Sequence, residues 1–472
     1  MSIRITALYI YITFLAIYAW KDWFKSLCGL ILLMAVIEHP DMPKSLFGIQ
    51  GLNPWNILFC IILLSWAVNR RQNALRWDLP GHVGGLLLVY IAVILLGVMR
   101  ASLDRGYLES YPLRSLISEE LINTIKWILP AILLFDGCRT RRQVVMALAC
   151  LLTMYFLFSI QVIKWMPPEA AISDSGVMTR ARGKLVKEIG YSAADISVML
   201  GGAFWGFIAA LQLIHKKSYR IALLAAAGVV GFGQALTGGR GGYLAWGTTG
   251  LLMCLIKWRK YLLLAPVIVM LLPVIFPGVA ARMLEGFGQT DVTGETTVDN
   301  DALSSGRLLM WPYVIEKIGE SPWIGYGRLG MRRTGLSQQV AIELNDDSYH
   351  HPHNMYFETL LDNGIIGSIP ILLLFALMVV YSARLFKSSN RLFSAVGGLA
   401  LALMLTSLIA GLTGQHYFPQ EHTLGIWAAV FLSLRVYVEE KRVQQIDAIS
   451  TECYWSEPVF SKNRGATAPS HA

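Results

Sequence analysis

The densest group of reactive side chains runs Asn345-Asp346-Asp347-Ser348-Tyr349-His350-His351-Pro352-His353-Asn354, directly ahead of an apolar stretch. A histidine can take a proton from a hydroxyl near neutral pH. Pro352 suits a helix start, where its missing N–H costs nothing. That predicts His353 in the first helical turn, on one face with positions 357, 360, 364 and 367. Gly364 and Gly367 on that face would let a neighbouring helix approach, turning His353 into the bundle. Three readings stay open from these residues: a general base at a membrane surface, a polar helix cap, and a metal site from the crowded His350, His351 and His353. Adjacent histidines do not readily face one ion on a regular element.

Cations form the second set. Thr237-Gly238-Gly239-Arg240-Gly241-Gly242 lets the backbone approach a ligand. Arg240 near a helix N-terminus would make an anion site, or would snorkel to lipid headgroups. Met178-Thr179-Arg180-Ala181-Arg182-Gly183-Lys184-Leu185-Val186-Lys187 is a charged stretch that either binds an anionic lipid-linked substrate or is simply solvated. Arg307, in Ser304-Ser305-Gly306-Arg307, is a weaker candidate of the same kind. Gln415-His416-Tyr417-Phe418-Pro419-Gln420-Glu421-His422 either walls the site or belongs to an interfacial belt.

What positions these groups is a bundle of apolar helices. Of 472 residues, 55% are apolar and 15% charged, with a mean hydropathy of +0.51. So much apolar surface cannot be hidden in a soluble domain of this length. Disordered, disulfide-scaffold and simple soluble classes are excluded. The six cysteines form no CxxC pair and have no metal-ligand spacing. There is no Walker, Rossmann or zincin motif. A spanning helix needs about 20 apolar residues. Candidate spans lie near 54–68, 82–99, 120–135, 143–164, 194–214, 220–236, 242–256, 260–277, 357–383, 392–413 and 422–438, with one or two crossings in the first 37 residues.

Lysine and arginine set the orientation. Basic connectors at 69–76, 138–142, 215–220, 257–260, 384–391 and from Lys441 onward fall on every second connection. All six are therefore expected in the cytoplasm and absorb most of the formal charge of +9. No basic stripe interleaved with aromatics suggests nucleic acid. The opposite side carries 100–119, 165–193, the 238–242 turn and a stretch of 77 residues, 278–354. With six basic and ten acidic residues that stretch is net −4. A loop so long is usually functional. Its 290–300 portion is polar and expected to be mobile. An amphipathic helix is predicted over 304–320, with Leu308, Trp311, Ile315 and Ile318 as its stripe. The expected fold is an all-α polytopic membrane protein of about 12 transmembrane helices, with the long outer loop before the last three. One membrane domain covers 1–440, divided into N-terminal helices 1–192 and a core 193–437. A tail, 441–472, is expected to be partly disordered.

His353-Asn354 followed by Gly364-Ile365-Ile366-Gly367 resembles the signature of the bacterial O-antigen ligase family. Ser321-Pro322-Trp323-Ile324-Gly325-Tyr326-Gly327 after Trp311 is similar to that family's P-x-x-G-x-G stretch, and Gly239-Arg240-Gly241 to its Arg-Gly turn. The resemblance covers about 193–437. It implies an inverting, metal-independent glycosyltransferase of the inner membrane, with no cofactor and a site facing the periplasm. The donor would be a glycan on undecaprenyl pyrophosphate; the acceptor a glycan, lipid or protein. His353 would activate the acceptor hydroxyl, Arg240 would hold the pyrophosphate, and Asn354, Arg307 and Arg180 or Arg182 would assist binding. The extra His350-His351 pair departs from the family pattern. A polysaccharide polymerase is the near alternative. A transporter or flippase is the distant one, and would need coupling charges at the bilayer midplane.

Overall fold

The computed structural model describes residues 3–108, 111–172, 175–285, 289–290, 296–297, 306–345, 349–414 and 418–455. Helices dominate, and the strands are two antiparallel pairs, Ser45–Leu46 with Ile49–Gln50 and Gln289–Thr290 with Thr296–Thr297. Each apolar run of the sequence becomes helical. The first 37 residues give the helices Ile3–Ala19 and Trp23–Leu32, tied as a hairpin by the Ser26 hydroxyl donating to the Leu15 carbonyl at 3.0 Å. The run at 260–277 is split into Ala265–Ile275 and Pro277–Met283, because Pro277 has no N–H to continue the first helix. The last helix, Leu424–Trp455, passes through residue 440 without a break. The polar stretch at 290–300 lies largely outside the described residues, as does the tail beyond Trp455.

Among the described residues, six helices are long and apolar enough to cross a membrane: Gly81–Leu103, Arg141–Trp165, Ala193–Leu213, Lys217–Leu236, Met355–Lys387 and Arg391–Ala410. This is an all-α protein of the multi-pass membrane type. Burial ranks the spans. Arg391–Ala410 is 78% buried and Ala193–Leu213 67%, whereas Lys217–Leu236 is 28% buried. The first two form the axis, and the third offers most of its surface to lipid. Gly206 allows the central contact, since a Cβ there would lie 2.3 Å from Leu399. Close backbone approach of this kind is how membrane helices gain dispersion energy without a hydrophobic drive.

The basic connectors gather at one end. Arg139 and Arg435 both reach Asp78, at 3.0 and 2.6 Å, and Arg442 reaches it at 2.6 Å. Arg70 and Arg139 both bind the fully buried Asp136. Arg391 contacts His215, Lys257 donates to the Phe386 carbonyl at 2.7 Å, and Arg384 meets Glu440 at 3.5 Å. All six connectors are joined through these contacts, as an alternating topology requires.

At the other end the long 278–354 stretch is tied into the bundle. The Met355–Lys387 helix breaks at Gly364, whose φ of 60° and ψ of −170° are non-helical. The break frees carbonyls, and the Pro322–Gly327 strip supplies their partners. Tyr326 and Gly327 donate N–H groups to the Leu361 and Asp362 carbonyls at 2.8 and 2.7 Å. Ile365 and Ile366 donate back to Pro322 and Trp323 at 2.8 and 3.0 Å. A Cβ on Gly364 would sit 2.3 Å from the Trp323 backbone, so only glycine fits this splice. Arg100 clamps it from a neighbouring span, donating to the Ile324 and Gly325 carbonyls at 2.6 and 2.8 Å.

The helix foreseen over 304–320 is Arg307–Glu320, but its inner face differs from the expected stripe. Met310 and Val314 are buried, while Leu308 and Ile315 are 46% and 52% exposed. Trp311 sets the rotation. Its indole N–H donates to the Pro352 carbonyl at 3.0 Å, and its ring meets the edge of Phe357. A hydrogen bond from a distant segment thus overrides the local periodicity.

Candidate active site

His353 precedes its helix rather than lying in the first turn. Asn354 is the N-cap: its Oδ1 accepts the N–H groups of Tyr356 and Phe357 at 2.9 and 3.2 Å. His353 has a φ of 50°, a left-handed conformation uncommon for a side-chain-bearing residue. Its N–H donates to Nδ1 of His351 at 3.2 Å, and the two rings lie 3.9 Å apart. The shared face with 357, 360, 364 and 367 does not exist, because the chain turns before Met355 and breaks at Gly364. The Trp311 bond to Pro352 and the Asn354 cap hold His353 from both sides. Asn354 is buried and committed to this cap. Its place at the site is therefore through His353.

Burial, the Arg307 charge and His350 push the His353 imidazole down from 6.5 to about 4. Burial, then the neighbouring His353 ring and the Arg328 charge, take His351 down to about 3. Both rings are neutral at pH 7. A neutral imidazole is the form that accepts a proton.

The arginine expectations resolve unequally. A cleft of about 100 Å³ is lined by Arg182, Arg240, Arg282 and Arg307, with Asp195 as the one carboxylate among its lining residues. Arg240 opens the Arg240–Ile256 helix behind Gly239, so free N–H groups point the same way as its charge. A Cβ on Gly242 would lie 2.1 Å from the Ser197 hydroxyl, so this turn packs against its neighbour only as glycine. Arg240 donates to the Glu285 carbonyl at 3.1 Å, and Arg282 pairs with the Glu285 carboxylate. Burial and the charges of Arg182 and Arg240 push Arg282 down to about 10. The four guanidiniums line one cleft and Glu285 meets only part of their charge, which favours an anion between them.

Arg182 and Arg180 separate because their stretch is a helix, Ser175–Ile189, and not a solvated loop. Its buried side carries Met178, Ala181, Leu185 and Ile189, and Arg182 sits beside that face. Arg180 points to solvent and does not line the cleft. The Nε–H of Arg182 is buried with no partner among the described residues. Arg282 escaped the sequence reading. Its signal was present: an arginine one turn after Pro277, counted only as charge. His416 lies outside the described residues. His422 is buried, with Nε2 4.0 Å from Asp195.

No group of three or more His, Cys, Asp or Glu side chains suited to a metal occurs among the described residues. The reading of His350, His351 and His353 as one metal site gains no support from this arrangement.

Both His353 and Arg240 fall inside residues 222–372, which match the O-antigen ligase family profile. The chain carries an O-antigen ligase domain. Relatives agree. It is 28% identical over 141 residues to the O-antigen ligase of Pseudomonas aeruginosa, covering 29% of this chain and 32% of that one. A candidate polysaccharide ligase of Rickettsia conorii is 24% identical over 201 residues, 41% of this chain and 46% of the relative. The ComP-specific O-oligosaccharyltransferase of Acinetobacter baylyi is 32% identical over 106 residues, 21% and 19% of the two chains. Each match spans less than half of the relative. The O-antigen ligase domain holds the splice at Gly364 and Arg307 as well as the two residues above.

Proposed function

We propose that the protein is a membrane glycosyltransferase that moves a glycan from undecaprenyl pyrophosphate to an acceptor hydroxyl. The reading rests on one observation: a half-buried histidine, its imidazole held below the ordinary value, lies within electrostatic reach of Arg307 on the wall of a cleft lined by four arginines. Glycosyl transfer needs those two things, a base for the entering hydroxyl and cations for the leaving pyrophosphate. His353 takes the hydroxyl proton as the acceptor oxygen bonds to the anomeric carbon. The bond from that carbon to the phosphate oxygen breaks, and the electron pair leaves with the lipid pyrophosphate. Arg182, Arg240, Arg282 and Arg307 stabilise the charge that appears there. Entry opposite to departure inverts the anomeric configuration. The proton then passes from the imidazolium to solvent or to the pyrophosphate. The chain's own groups suffice for each step, and no metal or cofactor is assigned a role.

The setting is the bacterial inner membrane, with the site on the periplasmic side. Lysine and arginine favour the cytoplasmic face, and the basic connectors cluster at the end opposite the cleft. The test uses full-length protein in nanodiscs and a labelled lipid-linked glycan. Transfer to added acceptor membranes, lost in His353→Ala that still inserts, is expected. Full activity of that variant would remove the base assignment. Long chains formed without added acceptor would make the protein a polymerase.

A further inference from the structure

A second cavity borders the same histidine segment. It is lined by Glu120, Arg328, Arg332, His350, His351 and Gln420 among others. Arg328 is its fixed point. Nε binds Glu120 at 2.7 Å, and Nη1 binds Glu358 at 3.2 Å and Asp362 at 3.1 Å. Its guanidinium lies 3.6 Å from the centroid of Phe418. Asp362 is further held by the Gly330 N–H at 2.9 Å. Charge distinguishes the two spaces. The arginine cleft sets four guanidiniums against the carboxylates of Asp195 and Glu285, whereas in this cavity Glu120, Glu358 and Asp362 all converge on Arg328. A pyrophosphate is drawn to the first, whereas in the second the charge of Arg328 is already matched by carboxylates.

We infer that the cavity beside Arg328 is the acceptor site and takes an uncharged, hydroxyl-rich sugar end. The inference rests on His353 being the base. Inversion requires the nucleophile to enter on the face opposite the leaving group. The two spaces meet that need, because Arg307 on the cleft acts electrostatically on His353 while His350, His351 and Pro352 line the second cavity. The lining suits the ligand. Carboxylate, amide and imidazole groups accept from sugar hydroxyls, while Arg332 and the Gln420 amide donate to their oxygens. The Arg328 ion pairs hold the walls, contributed by four separate stretches of chain, before the ligand arrives. The sugar could belong to a lipid-borne core or to a second lipid-linked glycan. Both present the same chemistry.

The test measures transfer by full-length protein in nanodiscs. The donor is lipid-linked glycan purified from the producing bacterium. One arm adds membranes from a strain lacking this chain as acceptor, and the other adds none, so that only donor molecules can accept. Gln420→Ala and Arg332→Ala should raise the acceptor concentration giving half-maximal rate by about tenfold, a typical loss for one hydrogen bond. Donor dependence should stay within about twofold of wild type, which also shows that the variants fold. A change in the arm without membranes assigns the site to a growing glycan, and a change only with membranes assigns it to a lipid-borne core. Unchanged acceptor dependence, a shift in donor dependence alone, or product carried on protein would overturn the inference. Full activity of His353→Ala would instead overturn the base assignment, so the two failures are distinguishable.

Discussion

The cleft around Arg240 and the cavity around Arg328 both neighbour the histidine segment, one through Arg307 and the other through His350, His351 and Pro352, and both are built on arginine. In the cavity Arg328 is surrounded by Glu120, Glu358 and Asp362, and its charge is spent inside the protein. In the cleft the cations outnumber the carboxylates and depress one another's proton affinity. On the proposed function, the same side chain serves as a structural tie in one place and as an anion trap in the other. Counting arginines in the sequence does not separate these uses; the carboxylates that converge on each one do.

The largest expected effect tests the histidine that both spaces neighbour. Replacing His353 by alanine removes the proton acceptor, and general-base catalysis contributes about 10² to 10⁴ in rate. Transfer should fall by that factor in an assay with labelled lipid-linked glycan, while expression and insertion persist. Next comes the cleft. Arg240→Ala should cost about 10² to 10³ in rate, the usual loss for one group that stabilises developing charge. Arg240→Lys should cost less, because a point charge remains without the planar fork. Equal activity of both variants and wild type would take Arg240 out of the site.

Arg328 is the converse case. Arg328→Met leaves three carboxylates facing one another in a buried space, and removing one partner of a buried ionic cluster costs about 3–5 kcal/mol. Thermal unfolding in detergent should reveal this as a large loss of stability. A variant of normal stability with merely slower transfer would mean that Arg328 acts on a ligand, and the contrast between the two spaces would collapse.

The helical architecture was largely legible in the sequence because spans announce themselves by length and apolarity. Basic connectors gave the alternation, and the structure joins all six at one end. The proposed site was drawn in the sequence from its anchors, the glycines around Arg240 and the histidine run. What could not be read was set by distant partners. The rotation of Arg307–Glu320 depends on the Trp311 bond to Pro352. The break at Gly364 depends on the Pro322–Gly327 strip pairing with the freed carbonyls. Arg182 and Arg180 are two residues apart in charge-rich sequence, and only the docking of Met178 and Leu185 decides which faces the cleft. Arg282 joins it because Pro277 restarts a helix there.

Arg307 allows the link between the cleft and His353 to be measured by pH. His353 must be neutral to accept a proton, so activity exists above its pKa and is lost as pH falls through it. With the imidazole pushed to about 4, the acid limb of the rate profile should lie near that value. Arg307→Gln removes a nearby cation and should move the limb upward, toward 6.5, so that loss begins at higher pH. Arg307→Lys keeps the charge and should leave the limb near its original place. An unmoved limb in Arg307→Gln would mean that the cleft and the histidine are electrically independent.

The smallest effect is expected at Arg180, and it sharpens the comparison most economically. Arg180 and Arg182 share one helix, one charge and one sequence context, and they differ only in the face they occupy. If the cleft acts through the guanidiniums that line it, Arg182→Ala should slow transfer about tenfold or more, as the loss of a charge-assisted contact implies. Arg180→Ala should change it by less than about twofold, since an exposed charge is screened by solvent and salt. The pair should also part in salt dependence, the residual activity of Arg180→Ala tracking wild type. Comparable losses in both variants would mean that the whole charged helix, rather than the wall of the cleft, attracts the anionic donor.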